Sequence, residues 1–223
     1  MRHTTLSLLV LTGFLLAGVL SGCSTTGFDY AGAGFGLTPS TTPTQPDIRF
    51  LERSDTNVQL AVPFLSQVPP GSWAGTRNCG PASAAMLRAY YYGEIPTSSD
   101  IIRANHWLNV NHGTSLNNGN GDFTNVFMIR GWLVSEGVEA RVGMGNLDLL
   151  RNILTAGNPV LVAVYSDMNP TGGAKHAMVV TGLNETHVTV NDPGKVNGAN
   201  NTYSISRFLS AWRAQGNWYL TLR

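Results

Sequence analysis

Cys79 has the sequence surroundings of a reactive thiol. It precedes Gly80-Pro81 and an alanine-rich run, and proline just inside a helix start is common, so we predict a helix from Asn78 to Tyr92. The partial positive charge at a helix N-terminus, together with a nearby imidazolium, lowers the pKa of a thiol and favours the nucleophilic thiolate. The alternative is a buried cysteine that serves as a small apolar residue. The polar, Gly-Pro-flanked setting argues against that alternative.

His176 and Asp192 are candidate partners for this thiol. His176 opens the apolar run Ala177–Gly182, and Asp192 closes the next apolar segment. Taken singly, the histidine is as easily a strand-end residue, and Asp-Pro-Gly is usually a turn. If the two segments are adjacent antiparallel strands joined by a short turn, however, their outer ends lie on the same side of the sheet. We then expect the Asp192 carboxylate to accept a hydrogen bond from the Nδ1–H of His176 and to orient this general base.

The hydrophobic period changes from helical to strand-like along the chain. After the 78–92 helix, helices are predicted from a Thr97–Asp100 cap onward and at 123–136, 146–156 and 204–215. The apolar face of the 123–136 helix is expected to comprise Phe123, Val126, Phe127, Trp132 and Leu133. Strands are predicted at 159–165, 175–181, 187–191 and 218–222. Helices followed by a mostly antiparallel sheet indicate an α+β domain rather than a doubly wound one.

Four segments together resemble a known family. They are Phe64-Leu65-Ser66-Gln67, Asn78-Cys79-Gly80-Pro81-Ala82-Ser83, Lys175-His176-Ala177-Met178-Val179-Val180 and Asn191-Asp192-Pro193-Gly194. This order and composition is similar to the double-glycine, bacteriocin-processing leader peptidases, which belong to the papain-like cysteine peptidases. The resemblance spans roughly residues 60 to 223.

The resemblance implies a fold, a reaction and four residue roles. The fold is papain-like, with an N-terminal helical part packed on the sheet. Cys79 is then the nucleophile, His176 the general base and later acid, Asp192 the orienting group, and Gln67 a side-chain donor in the oxyanion hole. The implied reaction is hydrolysis of a peptide or protein substrate through a thioester, without a cofactor. Family members that cut after Gly-Gly are usually domains of cytoplasmic ABC exporters, so the substrate does not follow from the resemblance.

The N-terminus indicates export and lipidation. Met1-Arg2-His3 and an uncharged apolar run lead to Leu20-Ser21-Gly22-Cys23, which looks like a bacterial lipobox. An ordinary signal peptide with an incidental cysteine is the alternative. The expected organisation is a signal peptide at 1–22, a lipidated Cys23 with a Gly/Thr/Ser/Pro-rich tether at 23–57, and the peptidase domain at 58–223. Several acyl chains would hold the protein on a membrane, and the serine after Cys23 favours the outer membrane, facing the periplasm or the cell surface.

Other function classes receive less support. A formal net charge of +1 and the absence of any Lys/Arg cluster argue against nucleic-acid binding. His106 and His112 have no ligand-like spacing and no acidic neighbour, so no metal site is expected. Oligomeric state is left open. Three alternatives keep part of the pattern: an acyltransferase with the same triad, as in phytochelatin synthases; a non-enzymatic interaction module; and an NlpC-type cell-wall amidase, which usually has Asp-Cys-Ser at the nucleophile.

Overall fold

The computed structural model of the protein describes residues 57–68, 77–114 and 124–223. The helices are α1 (Cys79–Tyr92), α2 (Ser98–His112), α3 (Val126–Ser135), α4 (Leu147–Thr155) and α5 (Ile205–Arg213). The strands are β1 (Val58–Gln59), β2 (Ala140–Met144), β3 (Val160–Tyr165), β4 (Lys175–Leu183), β5 (His187–Asn191), β6 (Asn201–Ser204) and β7 (Trp218–Leu222). A short 3-10 turn, Ser166–Met168, follows β3.

The strands form one sheet in the order β2-β7-β3-β4-β5-β6, and β1 pairs with the far end of β4. Each of these pairs is antiparallel. β4 therefore lies in the middle of the sheet, with β3 and β5 on its two sides. The predicted α+β class, with helices packed on an antiparallel sheet, is confirmed.

Helices cover both faces of this sheet. On β3, Leu161 packs with α1, α2 and α3, whereas Val160, Val162 and Val164 pack with α4 and α5. This division follows from the strand period of two, which sends successive side chains to opposite faces. A strand buried on both faces reads as a continuous apolar run, which is why β3 was easily predicted from the sequence.

Helix α1 is the most buried helix on its face of the sheet. Gly80 through Leu87 are all buried, and the small side chains among them let the helix backbone lie close to β4. Gly93 ends the helix with φ 68°, a left-handed conformation that glycine adopts without a steric penalty. The helix and the central strand thus form a rigid pair whose ends carry two of the candidate site residues.

Several boundaries and one buried face differ from the predictions. The third helix begins at Val126 rather than 123, and its Phe127 is 57% exposed instead of joining the core; Phe123 lies outside the described residues. Neither β2 nor β6 was predicted. Both are edge strands with few buried residues, so they lack the apolar alternation by which a strand is recognised. The short β1 was missed for the same reason.

The α1 core offers a test of one buried hydroxyl. Ser83 is fully buried, and its Oγ has no hydrogen-bond partner in the described ranges. Because an unsatisfied buried polar group costs free energy and alanine favours helices, Ser83→Ala should raise the free energy of unfolding by about 1 kcal/mol. Chemical denaturation monitored by circular dichroism measures this change.

Thr221→Val is the matched control. Thr221 is equally buried, but its hydroxyl donates to the Pro159 carbonyl at 2.9 Å. Removing that hydroxyl should lower the free energy of unfolding by about 1 kcal/mol. Equal destabilisation by the two substitutions would contradict the assignment of Ser83.

Candidate active site

Cys79 is the first residue of α1, where the local sequence fixes its position. Pro81 lies in the first turn, where its missing N–H removes no helical hydrogen bond. Asn78, the N-cap residue, is fully buried, and its Oδ1 accepts from Asn105 Nδ2 on α2 at 2.7 Å. A Cβ on Gly80 would lie 2.1 Å from Thr124 Oγ1, so a larger residue here would displace the Thr124 side chain.

Antiparallel pairing brings His176 and Asp192 together. His176 is the second residue of β4, and Asp192 directly follows β5, which pairs with β4 in the register Val179↔Asn191. The predicted strand pairing is therefore correct. The distance between His176 Nε2 and Asp192 Oδ1 is 2.6 Å, and both side chains are buried, at 10% and 3% exposure.

The predicted ring nitrogen was wrong. We expected Nδ1–H to contact the carboxylate, but Nε2 does so. The imidazole also hydrogen-bonds Cys79, and with Nε2 engaged the nitrogen left for the thiol is Nδ1. The sequence places a histidine near an aspartate, but which ring edge faces which partner depends on the side-chain rotamer that the fold imposes.

A tight turn holds the Asp192 carboxylate. Its Oδ1 also accepts the Gly194 N–H at 3.0 Å, and its backbone N–H donates to the Gly198 carbonyl at 2.7 Å. A Cβ on Gly194 would lie 3.0 Å from His176 Cε1, and one on Gly198 would lie 1.8 Å from the Asp192 carbonyl oxygen. Glycine is therefore required at position 198, where the neighbour is backbone, whereas a side chain at position 194 would press on the His176 ring. Asp-Pro-Gly is a turn, as its composition suggests, and it also carries the buried carboxylate.

The three groups shift one another's ionisation. Burial raises the pKa of the Cys79 thiol, but hydrogen bonding and charge from His176, together with the Ala177 and Gly80 backbone, outweigh it and lower that pKa. Burial lowers the pKa of His176, yet Asp192 and Cys79 raise it to about 9. Burial raises the pKa of Asp192, as it does for Cys79, but the hydrogen bond and charge of His176 outweigh burial and lower that pKa below its ordinary value. Each shift favours the charged form of its group: a thiolate, an imidazolium and a carboxylate.

Gln67 lies against the same turn. The side chain is buried, and the backbone N–H of Gln67 donates to the Pro193 carbonyl at 2.8 Å. Ser66 Oγ contacts that carbonyl as well, at 3.4 Å. The segment before α1 is thus anchored next to Asp192. The predicted oxyanion role of Gln67 stays a prediction.

A cleft of about 840 Å³ opens beside Cys79 and His176. Alternate residues of β3 line it, together with residues of α3 and of the segment between α5 and β7. The sequence did not reveal these residues: Phe127, Leu161, Ala163, Tyr165 and Trp218. Phe127 and Trp218 contact edge to face, with ring centroids 5.3 Å apart. The exposure of Phe127 on an otherwise apolar helix is a signal that only the structure makes visible.

The predicted lipidation site is not among the described residues. Cys23, the signal peptide and nearly all of the tether lie outside them. Within the described ranges, no group of three or more His, Cys, Asp or Glu side chains is arranged to hold a metal ion. His112 contacts the Trp107 ring instead, with centroids 5.4 Å apart.

Cysteine-type peptidases have this arrangement: a thiol at the start of a helix is hydrogen-bonded to an imidazole, and a buried carboxylate orients that imidazole. Residues 59–219 match the Peptidase C39 like family. The chain belongs to this family and is thereby a cysteine-type peptidase. No curated protein matches the chain significantly.

Three solved structures share the fold. A C39-like peptidase from Bacillus anthracis is 20% identical, with 76% of this chain and 98% of that one covered and a TM-score of 0.55. The peptidase domain of Streptococcus ComA, a bifunctional ABC transporter, is 23% identical, with 72% and 97% covered and a TM-score of 0.52. A double glycine motif protease from an AMS/PCAT transporter, solved with its leader peptide, is 18% identical, with 74% and 94% covered and a TM-score of 0.50.

No helix in the described ranges combines the length and apolarity needed to cross a bilayer.

The Asp192 contact predicts how His176 titrates. In the wild-type protein the His176 midpoint should lie at about 9. Asp192→Asn removes an adjacent negative charge, so the imidazolium is less favoured and the midpoint should fall by about one to two units. NMR of the histidine ring carbons against pH measures both values.

Asp148→Asn is the control for that titration, because Asp148 is an exposed first-turn residue of α4. It should leave the His176 midpoint unchanged. A wild-type midpoint near 6.5, or one that Asp192→Asn does not move, would disprove the assigned contact.

Proposed function

We propose that the protein is a membrane-tethered, extracytoplasmic cysteine peptidase or amidase that hydrolyses peptide bonds through Cys79, His176 and Asp192. The observation that carries the proposal is the continuous set of contacts from thiol to imidazole to carboxylate at the wall of an open cleft. A binding module has no use for a thiol whose pKa is lowered in this way. Membership of the peptidase family supports the same reading.

The chemistry follows from the positions of the three groups. The Cys79 thiolate attacks the substrate carbonyl carbon, and the carbonyl π electrons move to its oxygen. When the tetrahedral intermediate collapses, the C–N bond breaks and the His176 imidazolium gives its proton to the leaving amine, which leaves a thioester. Neutral His176 then takes a proton from water as that water attacks the thioester, and the carboxylic acid and the Cys79 thiolate are released. Asp192 stays ionised and holds the imidazole in place throughout.

The oxyanion needs donors beside the nucleophile. The first backbone N–H groups of α1 have no intrahelical acceptor and lie at the positive end of the helix. Gln67 is the natural side-chain donor, because it is buried and anchored to Pro193 next to the catalytic carboxylate. Such donors commonly contribute a factor of about 100 or more to kcat.

A peptide is the substrate that the site favours. The cleft is lined by aromatic, aliphatic and small side chains, with the cations Arg77 and Lys175 among them. Such a lining can accept an extended peptide through both apolar and polar contacts. One structural relative was solved in complex with a leader peptide, which supports a peptide as the ligand class here. The residues themselves supply nucleophile, acid and base, so the proposed reaction uses no cofactor.

The membrane tether is proposed from the sequence. The lipobox-like Leu20-Ser21-Gly22-Cys23 is followed by a Gly/Thr/Ser/Pro-rich segment before the peptidase domain. Lipid on Cys23 would anchor the domain by a segment able to reach away from the bilayer. Outer-membrane sorting, suggested by the serine at position 24, belongs to the same proposal.

Thiol alkylation against pH tests the proposed ion pair. In the wild-type protein Cys79 should react with iodoacetamide well below pH 8, as followed by mass spectrometry of the tryptic peptide 78–88. In His176→Ala the thiol should revert toward a pKa of about 8.5, so its rate at pH 6 should fall about 100-fold. His187→Ala, which removes an exposed histidine on β5, should react like the wild type.

The reaction itself is tested with a peptide library and product sequencing. Cys79→Ala should abolish cleavage. An ordinary thiol titration in the wild-type protein would refute the enzyme as described here, and transfer of the acyl group to an added amine in place of water would identify an acyltransferase instead.

Cys23 lipidation is tested by metabolic labelling with a clickable palmitate analogue. The wild-type protein should be labelled and recovered in the membrane fraction. Cys23→Ser should lose both the label and membrane retention, because no acyl chain is then attached. Retention of the label in Cys23→Ser would place the lipid elsewhere. Cys79→Ser, which removes the other cysteine of the chain, is the matched control and should keep the label.

A further inference from the structure

Lys195 lies behind the histidine–aspartate pair. Its Nζ donates to Tyr203 Oη at 2.9 Å and lies 3.8 Å from Asp192 Oδ2. On its other side, the same Nζ lies 3.8 Å from Asp167 Oδ1. The ammonium is therefore held among one hydroxyl and two carboxylates that come from three separate parts of the fold.

The backbone and β6 fix this placement. Lys195 follows Asp192 within the same turn, and its N–H donates to the Asp192 carbonyl at 3.2 Å. Tyr203 lies on β6 opposite Val188 of β5, so its hydroxyl is set by the sheet. The hydrogen bond from Lys195 to the Tyr203 hydroxyl, which opposes burial, raises the pKa of Lys195. The side chain thus stays cationic over the range in which the site titrates.

The two oxygens of the Asp192 carboxylate face different partners. Oδ1 accepts from His176 Nε2 and from the Gly194 N–H, whereas Oδ2 faces Lys195. The carboxylate is only 3% exposed, and burial by itself favours its protonated form. A cation behind Oδ2 opposes that protonation while leaving Oδ1 to the imidazole.

We propose that Lys195 is a positioning residue, which holds Asp192 in its ionised form and orientation and thereby sets the charge balance of the Cys79–His176 pair. This inference rests on the proposed function, because it concerns the same catalytic groups. Lys195 does not line the cleft that contains the thiol, so it acts on the thiol through Asp192.

Removal of this cation should raise the pKa values of the neighbouring groups. A positive charge favours the deprotonated form of every neighbouring acid or base, so its loss raises the pKa of each. Lys195 is 40% exposed, and solvent screening limits the expected change to about 0.5 unit at the thiol.

Other charged and titratable groups surround the cluster and stay constant in the test. They are Arg77, Cys79, Asp167, Lys175, His176, Asp192, Tyr203 and Arg207. Arg207 on α5 is held nearby, because its Nη2 donates to the Asp167 carbonyl at 2.7 Å. All of these residues are retained when Lys195 is substituted, and the Lys195→Arg variant separates loss of the charge from loss of the side chain.

The experiment measures the alkylation rate of Cys79 against pH in the full chain, through the tryptic peptide 78–88, for Lys195→Met and Lys195→Arg. We expect Lys195→Met to move the acid midpoint upward by about 0.5 unit in low salt, and by less at 1 M salt because of screening. Lys195→Arg keeps the charge and should stay near the wild-type midpoint. Tyr203→Phe leaves the ammonium unanchored and should give a smaller shift of the same sign.

Arg141→Met, which removes an exposed cation on β2, is the control and should not move the midpoint. If Lys195→Met lowers the rate equally at all pH values, its role is merely structural and the inference is overturned. A Lys195→Met curve that coincides with the wild type overturns it too, while the proposed function stands. A wild-type thiol that titrates in the ordinary range refutes the proposed function itself. Should Lys195→Met fold poorly, Tyr203→Phe still decides, since an unmoved midpoint there counts against the inference.

Discussion

The structure depends on keeping three ionisable groups together, of which His176 and Asp192 are buried and Cys79 borders the cleft. A thiolate or an imidazolium alone is disfavoured by burial, and each becomes favourable here chiefly through the others. The 2.6 Å contact between His176 and Asp192 is the fixed end of this arrangement, because the carboxylate is built into a tight turn. Cys79 reaches His176 from helix α1, which packs on one face of the sheet. The rest of the domain keeps the thiol and the histidine–aspartate pair next to each other.

The sheet and helix α1 position the three groups by different interactions. β4 and β5 place His176 and Asp192 by backbone pairing, so their relation is set by a hydrogen-bond ladder and tolerates little slippage. Cys79, in contrast, is placed by the packing of a small-residue helix against the sheet. Its precision rests on close contacts such as that between Gly80 and Thr124. The thiol–imidazole contact therefore reports the quality of core packing as well as local geometry.

Charge around the site is arranged in layers. Asp192 and His176 are buried, whereas Lys195 and Asp167 lie farther out and are partly or largely exposed. The inner pair carries the proposed chemistry, and the outer groups act on it electrostatically at modest strength because water screens them. Lys195 joins the two layers, because its Nζ lies 3.8 Å from Asp192 Oδ2 and 3.8 Å from Asp167 Oδ1.

By itself the sequence determined the chemical groups, their order and the class of fold. Cys79 before Gly80-Pro81, a histidine that opens a strand and an aspartate that closes the next one are local patterns, and buried strands and capped helices are recognisable because their periods are local too. The edge strands β2 and β6 escaped prediction because they bury too little to show a period. Only the tertiary structure decided that Nε2 faces Asp192, that Phe127 borders a cleft instead of filling the core, and that Lys195 lies behind Oδ2. These features depend on side-chain rotamers and on contacts between residues far apart in the chain, which a linear pattern does not encode.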